Sequence, residues 1–200
     1  MKEEIVLIGR GGHARVVIDS IKKSDIFHIR AIIDKRENLK NEFMGIPIII
    51  GDEKLPLIFN EGVKTAFIAI GSVGDCNIRI RIDRILKKIG FKLAQIVHPS
   101  AVIAEQTSIK EGAFVSAGAI IGPCVKLGRN SIINTSSSID HNCIINDFVH
   151  IAPGVTLSGD VEIGKNTHIG TGAIIVNGIK IGKNNFIKAG TLVYKDMPDK

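Results

Sequence analysis

Hydrophobic residues follow two different patterns along the 200-residue chain. In residues 1–95, short aliphatic runs alternate with stretches in which apolar side chains recur every three or four positions. The runs predict buried strands and the stretches predict amphipathic helices, so this region is expected to form a small parallel α/β sheet. The predicted strands are Ile5–Ile8, Ile29–Ile33, Ile46–Ile50 and Ala66–Ile70, and the predicted helices are Ala14–Lys23 and Asn77–Ile89.

From Val97 onward the pattern changes to a strict repeat of six. Every sixth residue from Val97 to Val193 is Val, Ile or Leu, and the residue four places later is usually small or short. Both positions are therefore expected to point inward. Six residues per face and three faces per turn make a coil of 18 residues, and neighbouring coils stack about 4.8 Å apart. The repeat predicts a parallel β-helix over residues 96–200.

Composition and charge narrow the classes of partner. Net charge is +6, aromatic residues make up only 4% of the chain, and no run of five like charges occurs. A small anionic molecule fits this distribution better than nucleic acid. The three cysteines have no C-x-x-C spacing, the start has no signal-peptide pattern, and no apolar stretch reaches membrane-spanning length. We expect a cytoplasmic protein with neither a nucleic-acid nor a membrane partner.

A glycine-rich motif directly follows the first predicted strand. Residues 9–14 read GRGGHA and match the pattern G-x-G-x-x-A. Backbone amides at such a helix start attract phosphate, and Asp34 after the second strand can accept hydrogen bonds from a ribose or a base. Alternatively, the glycines only make a tight turn. We expect a Rossmann-like domain over residues 1–95, whose small size favours a mononucleotide or nucleotide-sugar over NAD.

One histidine of the repeat region stands where a side chain should leave the solenoid. His141 follows the inward Ile139 by two places and should stack between Pro123 and Gly159. Neighbours without bulk leave room for a ligand beside the imidazole. An imidazole is the natural base for an amine or hydroxyl that attacks a thioester. The alternative for a lone histidine is a solvated surface residue.

Other charged and polar residues give weaker indications. His150 and His168 are 18 residues apart and should stack on adjacent coils, which with His141 makes a three-histidine metal site conceivable. One face of one subunit does not bring all three together, so no metal is expected. The arginines of the second predicted helix are expected to be solvated; they are Arg79, Arg81 and Arg84.

The sequence resembles a known family over nearly its whole length. The resemblance is to the sialic-acid O-acetyltransferases and nucleotide-amino-sugar N-acetyltransferases, the NeuD-like and PglD-like proteins. It implies a left-handed β-helix, a homotrimer with active sites between neighbouring solenoids, acetyl-CoA along the solenoid and the nucleotide-sugar in the N-terminal domain. The segments that carry the resemblance are GRGGHARVV, AIID, AIGSVGDCNIR, IVHPSAVI and IDHNCIINDFVHIAPG.

The same resemblance implies roles for individual residues. It assigns the general base to His141, with Asn142 beside it in the catalytic position. It assigns acetyl-CoA contacts to His150, Gly159, His168, Ile169 and Gly170, and nucleotide contacts to Gly11, Gly12, His13, Asp34, Gly51 and Gly71.

Two departures from the family pattern stand out. Family members often carry Glu or Asp directly after the catalytic histidine, where Asn142 is a neutral amide; Asp140 and Asp147 are the candidates to compensate. Family chains also continue into a segment of the type G-x-P-A-K that helps to cover the coenzyme, where this sequence reads MPDK. That ending is consistent with a truncated chain.

The expected function is acetyl transfer from acetyl-CoA to the amine of a nucleotide-linked amino sugar. Two alternatives stay open. One is a sugar O-acetyltransferase of the sialic-acid type, and the other is a non-catalytic nucleotide-binding trimer in which the β-helix is a stalk. Residues alone do not distinguish UDP, GDP and CMP sugars.

Overall fold

The computed structural model describes residues 2–35 and 41–200, and the chain divides into two compact units. The first unit comprises residues 1–71 and 77–94, and the second comprises residues 72–76 and 95–200. Segment 72–76 belongs to the second unit, where the carbonyl oxygen of Ser72 accepts a hydrogen bond from Nδ1 of His150 at 2.6 Å.

The first unit is a six-stranded sheet with three α-helices, plus a short 3₁₀ turn at Asp52–Lys54. Its strands are β1 (Glu3–Ile8), β2 (Phe27–Asp34), β3 (Glu42–Phe43), β4 (Ile46–Ile50), β5 (Thr65–Ile68) and β6 (Lys92–Leu93). Its helices are α1 (Gly12–Ser24), α2 (Leu55–Asn60) and α3 (Asn77–Ile89).

The strand order in this sheet indicates where a ligand crevice should lie. The order is β3-β4-β2-β1-β5-β6, and every pairing is parallel except that of β3 with β4. Since β2 and β5 flank β1 on opposite sides, the carboxyl ends of these three strands surround the switch point where open α/β sheets bind ligands. The sequence pattern predicted the four longer strands and both long helices, but missed β3, β6 and α2, which are too short to show a period.

The second unit is a solenoid of two-residue strands arranged in three parallel sheets, as is typical of a left-handed parallel β-helix, and the predicted fold is confirmed. The first face contains Ile96–Val97, Phe114–Val115, Ile132–Ile133, His150–Ile151, His168–Ile169 and Phe186–Ile187. The second face contains Val102–Ile103, Ile120–Ile121, Ser138–Ile139, Thr156–Leu157, Ile174–Ile175 and Leu192–Val193. The third face contains Ser108–Ile109, Lys126–Leu127, Ile144–Ile145, Glu162–Ile163 and Lys180–Ile181.

Each six-residue segment of this solenoid has the same internal geometry. The second residue of each strand points inward, and from Val115 to Val193 these side chains are at most 6% exposed. Every sixth residue from Gly112 to Gly190 has a positive φ, between 52° and 73°, and so turns the chain at a corner. Gly, Asn and Asp, which tolerate this conformation best, occupy eleven of the fourteen corners.

Residues 196–200 continue the third face beyond its last regular strand. Met197 forms a parallel bridge with Ile181, the backbone N–H of Lys183 donates to Oδ1 of Asp199 at 2.7 Å, and Nζ of Lys183 lies 3.2 Å from Oδ2 of Asp199. The segment therefore pairs with the edge of the strand Lys180–Ile181 on the third face. Among residues 2–35 and 41–200, no helix combines the length and apolar character needed to cross a bilayer.

Candidate functional site

A cleft of about 470 Å³ opens in the first unit at the start of α1. Gly11 caps this helix without a side-chain hydrogen bond, and a Cβ at Gly11 or Gly12 would meet no other described atom within 4 Å. The start of α1 therefore borders open space, and the first amides of a helix attract phosphate. The cleft is lined by Ile8, Gly9, Arg10, Gly11, Gly12, His13, Ile33, Asp34, Lys35, Asp52, Ile70, Gly71, Ile78, Arg81 and Ile82.

Asp34, predicted to contact the nucleotide, lines this cleft and also pairs with Arg10. Its Oδ2 accepts the backbone N–H of Arg10 at 3.0 Å, and its Oδ1 lies 3.6 Å from Nε of the same residue. Both side chains are only 7% exposed. Because a buried charge needs a partner, this pair holds the glycine-rich turn between β1 and α1 against the end of β2. The motif gives no signal for Arg10, since this residue occupies the unspecified position of G-x-G-x-x-A.

Further charged residues at the cleft were not foreseen. Asp52 lies after Gly51, and its Oδ2 is 3.1 Å from Nζ of Lys35 and 3.3 Å from Nη2 of Arg81. Arg81 is half-exposed, as predicted for a solvated side chain, but it also lines the cleft. The prediction for Arg79 was wrong, because this residue of α3 is only 2% exposed.

The other two predicted nucleotide contacts have different local roles. Gly51 does not line the cleft, but its N–H donates to the carbonyl oxygen of Asp34 at 3.0 Å and its φ is 96°. A side chain there would adopt a strained conformation and collide with the Glu53 carboxylate. Gly71 lines the cleft, and an added Cβ would lie 3.1 Å from Cβ of His13. Gly71 thus allows the segment after β5 to approach α1.

His141 stands at a corner of the second unit, just after the strand Ser138–Ile139. Its side chain is 49% exposed, as expected for a residue that leaves the solenoid. The backbone N–H of His141 donates to Oδ1 of Asp140 at 2.7 Å, which fixes the start of the corner. A Cβ at Gly159 would collide with the imidazole ring, so the glycine lets the ring lie against the next coil.

Asn142 joins His141 to a carboxylate that the sequence analysis missed. Nδ2 of Asn142 lies 3.2 Å from Nδ1 of His141 and donates to Oδ1 of Asp160 at 3.0 Å. The other carboxylate oxygen, Oδ2, is 3.9 Å from the same imidazole nitrogen. Asp160 is 18 residues after Asn142 and occupies the same corner one coil further on, so the repeat itself contained the signal.

The two acids expected to compensate for Asn142 have other partners. Asp140 accepts the backbone N–H of the histidine that follows it. Asp147 accepts the N–H of Arg129 at 3.0 Å and lies 3.2 Å from Nζ of Lys165. Burial raises the pKa of Asp147, but the Arg129 hydrogen bond and Lys165 outweigh it and hold this pKa below its ordinary value. The carboxylate beside the imidazole is therefore Asp160.

His150 and His168, predicted as acetyl-CoA contacts, are buried on the first face, where their rings meet edge to face at 89°. Their ring centroids are 4.8 Å apart, and the His168 ring stacks on Phe186 at 5.1 Å. Nδ1 of His150 donates to Ser72, so its Nε2, 3.2 Å from Asn134 Nδ2, is the acceptor. Burial lowers the pKa of His168, a shift that a hydrogen bond to Ser72 partly offsets. Within the described part of the chain, no His, Cys, Asp or Glu side chains cluster in a group of three that could hold a metal ion.

The remaining two predicted coenzyme contacts serve the packing of the solenoid. Ile169 is fully buried in the core, so only its backbone is available to a ligand. A Cβ at Gly170 would lie 2.6 Å from the backbone nitrogen of Ala189 on the next coil. Glycine is therefore needed at residue 170 for the coils to stack, whatever else binds there.

Cys143 is the thiol closest in sequence to His141, but it is not a nucleophile. Its side chain is fully buried and its Sγ donates to the carbonyl oxygen of Ser158 at 3.2 Å. Burial raises the pKa of this thiol to about 11. A neutral thiol inside the core cannot attack a thioester.

Comparisons with known proteins match both units. Residues 4–86 match the PglD N-terminal domain family, and residues 160–195 match the bacterial transferase hexapeptide family. The chain is 33% identical over 95 residues to GDP-perosamine N-acetyltransferase of Escherichia coli O157:H7. That match spans 48% of this chain and less than half, 43%, of the curated relative.

Solved structures align over almost the whole chain. Perosamine N-acetyltransferase from Caulobacter crescentus, in complex with CoA and GDP-perosamine, is 34% identical with a TM-score of 0.92, covering 98% of this chain and 91% of that one. The acetyltransferase domain of PglB from Neisseria gonorrhoeae FA1090, in complex with acetyl coenzyme A, is 29% identical with a TM-score of 0.87, covering 100% and 94%. The resemblance inferred from the sequence is confirmed, and the chain belongs to the family of hexapeptide-repeat nucleotide-sugar N-acetyltransferases with a PglD-type N-terminal domain.

Proposed function

We propose that the protein transfers an acetyl group from acetyl-CoA to the amine of a nucleotide-linked amino sugar. The observation that carries the proposal is the full-length similarity to an N-acetyltransferase solved with CoA and GDP-perosamine. Its two ligands represent the coenzyme product and the nucleotide-sugar substrate of such a reaction. A GDP-linked amino sugar is therefore the first substrate to test, and acetyl-CoA is the cosubstrate.

His141 is the general base of the proposed reaction. The sugar amine attacks the thioester carbonyl, a C–N bond forms, the imidazole takes the proton from the amine, and the C–S bond breaks to release CoA. An exposed imidazole that packs against Gly159 with its other side open to solvent suits this role. Two solved relatives from Caulobacter crescentus are variants in which a histidine is replaced by Asn or Ala. Since Cys143 is a buried neutral thiol, it carries no acyl intermediate, and the proposed transfer from acetyl-CoA to the amine is direct.

The nucleotide binds in the cleft of the first unit. The start of α1 at Gly11, Gly12 and His13 receives a phosphate, and Asp34 lies at the wall of the cleft where a ribose or base would reach it. Lys35 and Arg81 add positive charge near Asp52. This combination favours an anionic ligand that also carries hydrogen-bond donors.

A thiol-release assay tests the proposed function. GDP-, UDP- and CMP-linked amino sugars are supplied with acetyl-CoA, and free CoA is followed with a thiol reagent. We expect release with at least one amino sugar and none with the matching sugar that lacks the amine. Mass spectrometry and amide resonances of the product identify N-acetylation. Acetylation of a hydroxyl, or binding of nucleotide-sugar without turnover, would contradict the proposal.

The active assembly is a homotrimer in this proposal. The outward residues of the second face carry no charge, and four of its aliphatic side chains are 48–62% exposed: Val102, Ile120, Ile174 and Leu192. An exposed, uncharged face next to His141 suits a second copy of the chain. Light scattering should give about three times the 21.6 kDa chain mass at micromolar concentration. A stable and fully active monomer would refute the assembly.

A further inference from the structure

Three polar side chains at the His141 corner lie close to one another: His141, Asn142 and Asp160. Nδ2 of Asn142 lies 3.0 Å from Oδ1 of Asp160 and 3.2 Å from Nδ1 of His141, and Oδ2 of Asp160 lies 3.9 Å from that nitrogen. The backbone ties the same residues together, since the N–H of Asp160 donates to the carbonyl oxygen of His141 at 2.9 Å. The backbone of this corner therefore keeps Asp160 next to His141.

The carboxylate determines the orientation of the Asn142 amide. A carboxylate only accepts hydrogen bonds, so the amide must present its NH₂ group to Asp160, and its second N–H points at Nδ1 of His141. In this arrangement Nδ1 is an acceptor and the imidazole proton is on Nε2. A base that takes a proton at Nε2 needs the other tautomer, with the proton on Nδ1 and an acceptor beside it. The Asn142 NH₂ group cannot be that acceptor.

We propose that Asp160 is the positioning residue of His141, accepting Nδ1–H while Nε2 takes the proton from the substrate amine. The inference rests on the proposed acetyltransferase function. Closing the 3.9 Å gap requires a shift of about 1 Å, and catalytic hydrogen bonds commonly tighten when substrate binds. The imidazolium formed during transfer then faces a carboxylate rather than an amide. Asp160 therefore supplies from the next coil the negative charge that Asn142 cannot supply.

Another corner provides a comparison without an imidazole. Nδ2 of Asn166 donates to Oδ1 of Asn184, 18 residues later, at 3.1 Å. Both residues have positive φ, as do Asn142 and Asp160. A side-chain bond between stacked corners is thus a general device of this solenoid, and it is made with a neutral acceptor. The negative charge at Asp160 goes beyond what corner stability requires.

The kinetic test exchanges amide and carboxylate. Asp160→Asn keeps the size and the corner conformation and should lower kcat roughly tenfold or more, a part of what a general base contributes, with both KM values within about twofold. Adding Asn142→Asp to that variant returns a carboxylate to the other side of the imidazole and should recover most of kcat. Asn184→Asp is the matched control and should leave kcat unchanged. Wild-type kcat in Asp160→Asn, or no recovery in the double variant, would overturn the proposal.

A spectroscopic test is independent of acetyl transfer. ¹⁵N-histidine labelling distinguishes the two imidazole tautomers, and the His141 resonance is identified by its loss in His141→Gln. We expect Nε2–H in Asp160→Asn and Nδ1–H in the double variant, and the wild-type protein should gain Nδ1–H when CoA and nucleotide-sugar are bound. Nε2–H in the wild-type complex, or the same tautomer in Asp160→Asn and the double variant, would overturn the role of the carboxylate. An inactive wild-type protein that shows the expected change of tautomer would instead count against the proposed function alone.

Discussion

The two units place their proposed functional residues in different ways. In the first unit, the residues at the cleft come from separate loops and elements that meet at the carboxyl ends of β1, β2 and β5, and few of them share a sequence pattern. In the second unit, every coil repeats the same geometry, and His141 stands out because it breaks that pattern. The strand order is therefore needed to find a site like the cleft, whereas a site on the repeat can be found from a residue that departs from the six-residue pattern.

Removal of the imidazole should have the largest effect. His141→Ala is expected to lower kcat by roughly 10²- to 10⁴-fold, the usual contribution of a general base. Because the side chain is half-exposed and outside the aliphatic core, circular dichroism and light scattering should be unchanged. A correctly folded variant with activity within a few-fold of wild type would exclude His141 as the base.

Glycine substitutions in the two units should have the next largest effects, on stability in the second unit and on nucleotide-sugar binding in the first. A Cβ at Gly164 would lie 2.5 Å from the backbone of Gly182. Gly164→Ala should therefore destabilise the protein by about 1–3 kcal/mol and lower Tm by several degrees. Gly12→Ala places its methyl group in open space, so Tm should hold while KM for the nucleotide-sugar rises. Thermal melts of both variants check this, and equal losses of Tm would contradict the contrast.

A change at the cleft should affect one substrate only. Asp34→Asn keeps an acceptor for the N–H of Arg10 but removes the charge that pairs with its side chain. We expect KM for the nucleotide-sugar to rise roughly tenfold, about 1.4 kcal/mol, with KM for acetyl-CoA nearly unchanged. Steady-state kinetics with each substrate varied in turn measure this. A parallel rise for acetyl-CoA would show that the cleft has been misassigned.

The smallest expected effect is a change in pH dependence. Burial lowers the pKa of His168, so folding favours its neutral form and the resulting stability is complete above pH about 6.5. It is lost as the pH falls from there through the lowered pKa. His168→Phe, which repeats the side chain of Phe186 one coil away, should reduce this loss by roughly a few tenths of a molar in the urea midpoint. Urea titrations at pH 8, 6.5 and 5.5 provide the check. The same decrease of the urea midpoint with falling pH in the wild type and in His168→Phe would contradict the prediction.

Predictability from sequence differed between the units for a physical reason. A six-residue period determines the burial and the corner of each residue, so the inward Ile139 and the exposed His141 were both predicted correctly. The same period places Asp160 directly above Asn142 on the next coil, 18 residues later, so its position was also predictable. It was overlooked because compensation was sought at Asp140 and Asp147, which are near in sequence but bound to other groups.

In the first unit, the glycine-rich turn and the end of β2 were located correctly, but the charges around them were not. Arg10 pairs with Asp34, which lies 24 residues later in the sequence. Asp52 forms ion pairs with Lys35 and Arg81, which belong to separate parts of the chain. Such contacts depend on strand order, which a hydrophobic pattern does not specify.

Fourteen corners recur at every sixth residue without interruption, so the length of the solenoid is set by the number of its 18-residue coils. A single-residue insertion within a strand would turn the aliphatic side chains outward from that point on. Removal or duplication of 18 residues would instead change the length by one coil, about 4.8 Å. Duplicating residues 169–186, beyond the His141 corner, should therefore lengthen the molecule without altering that corner. The distance from this corner to the end of the solenoid could then be set in whole coils.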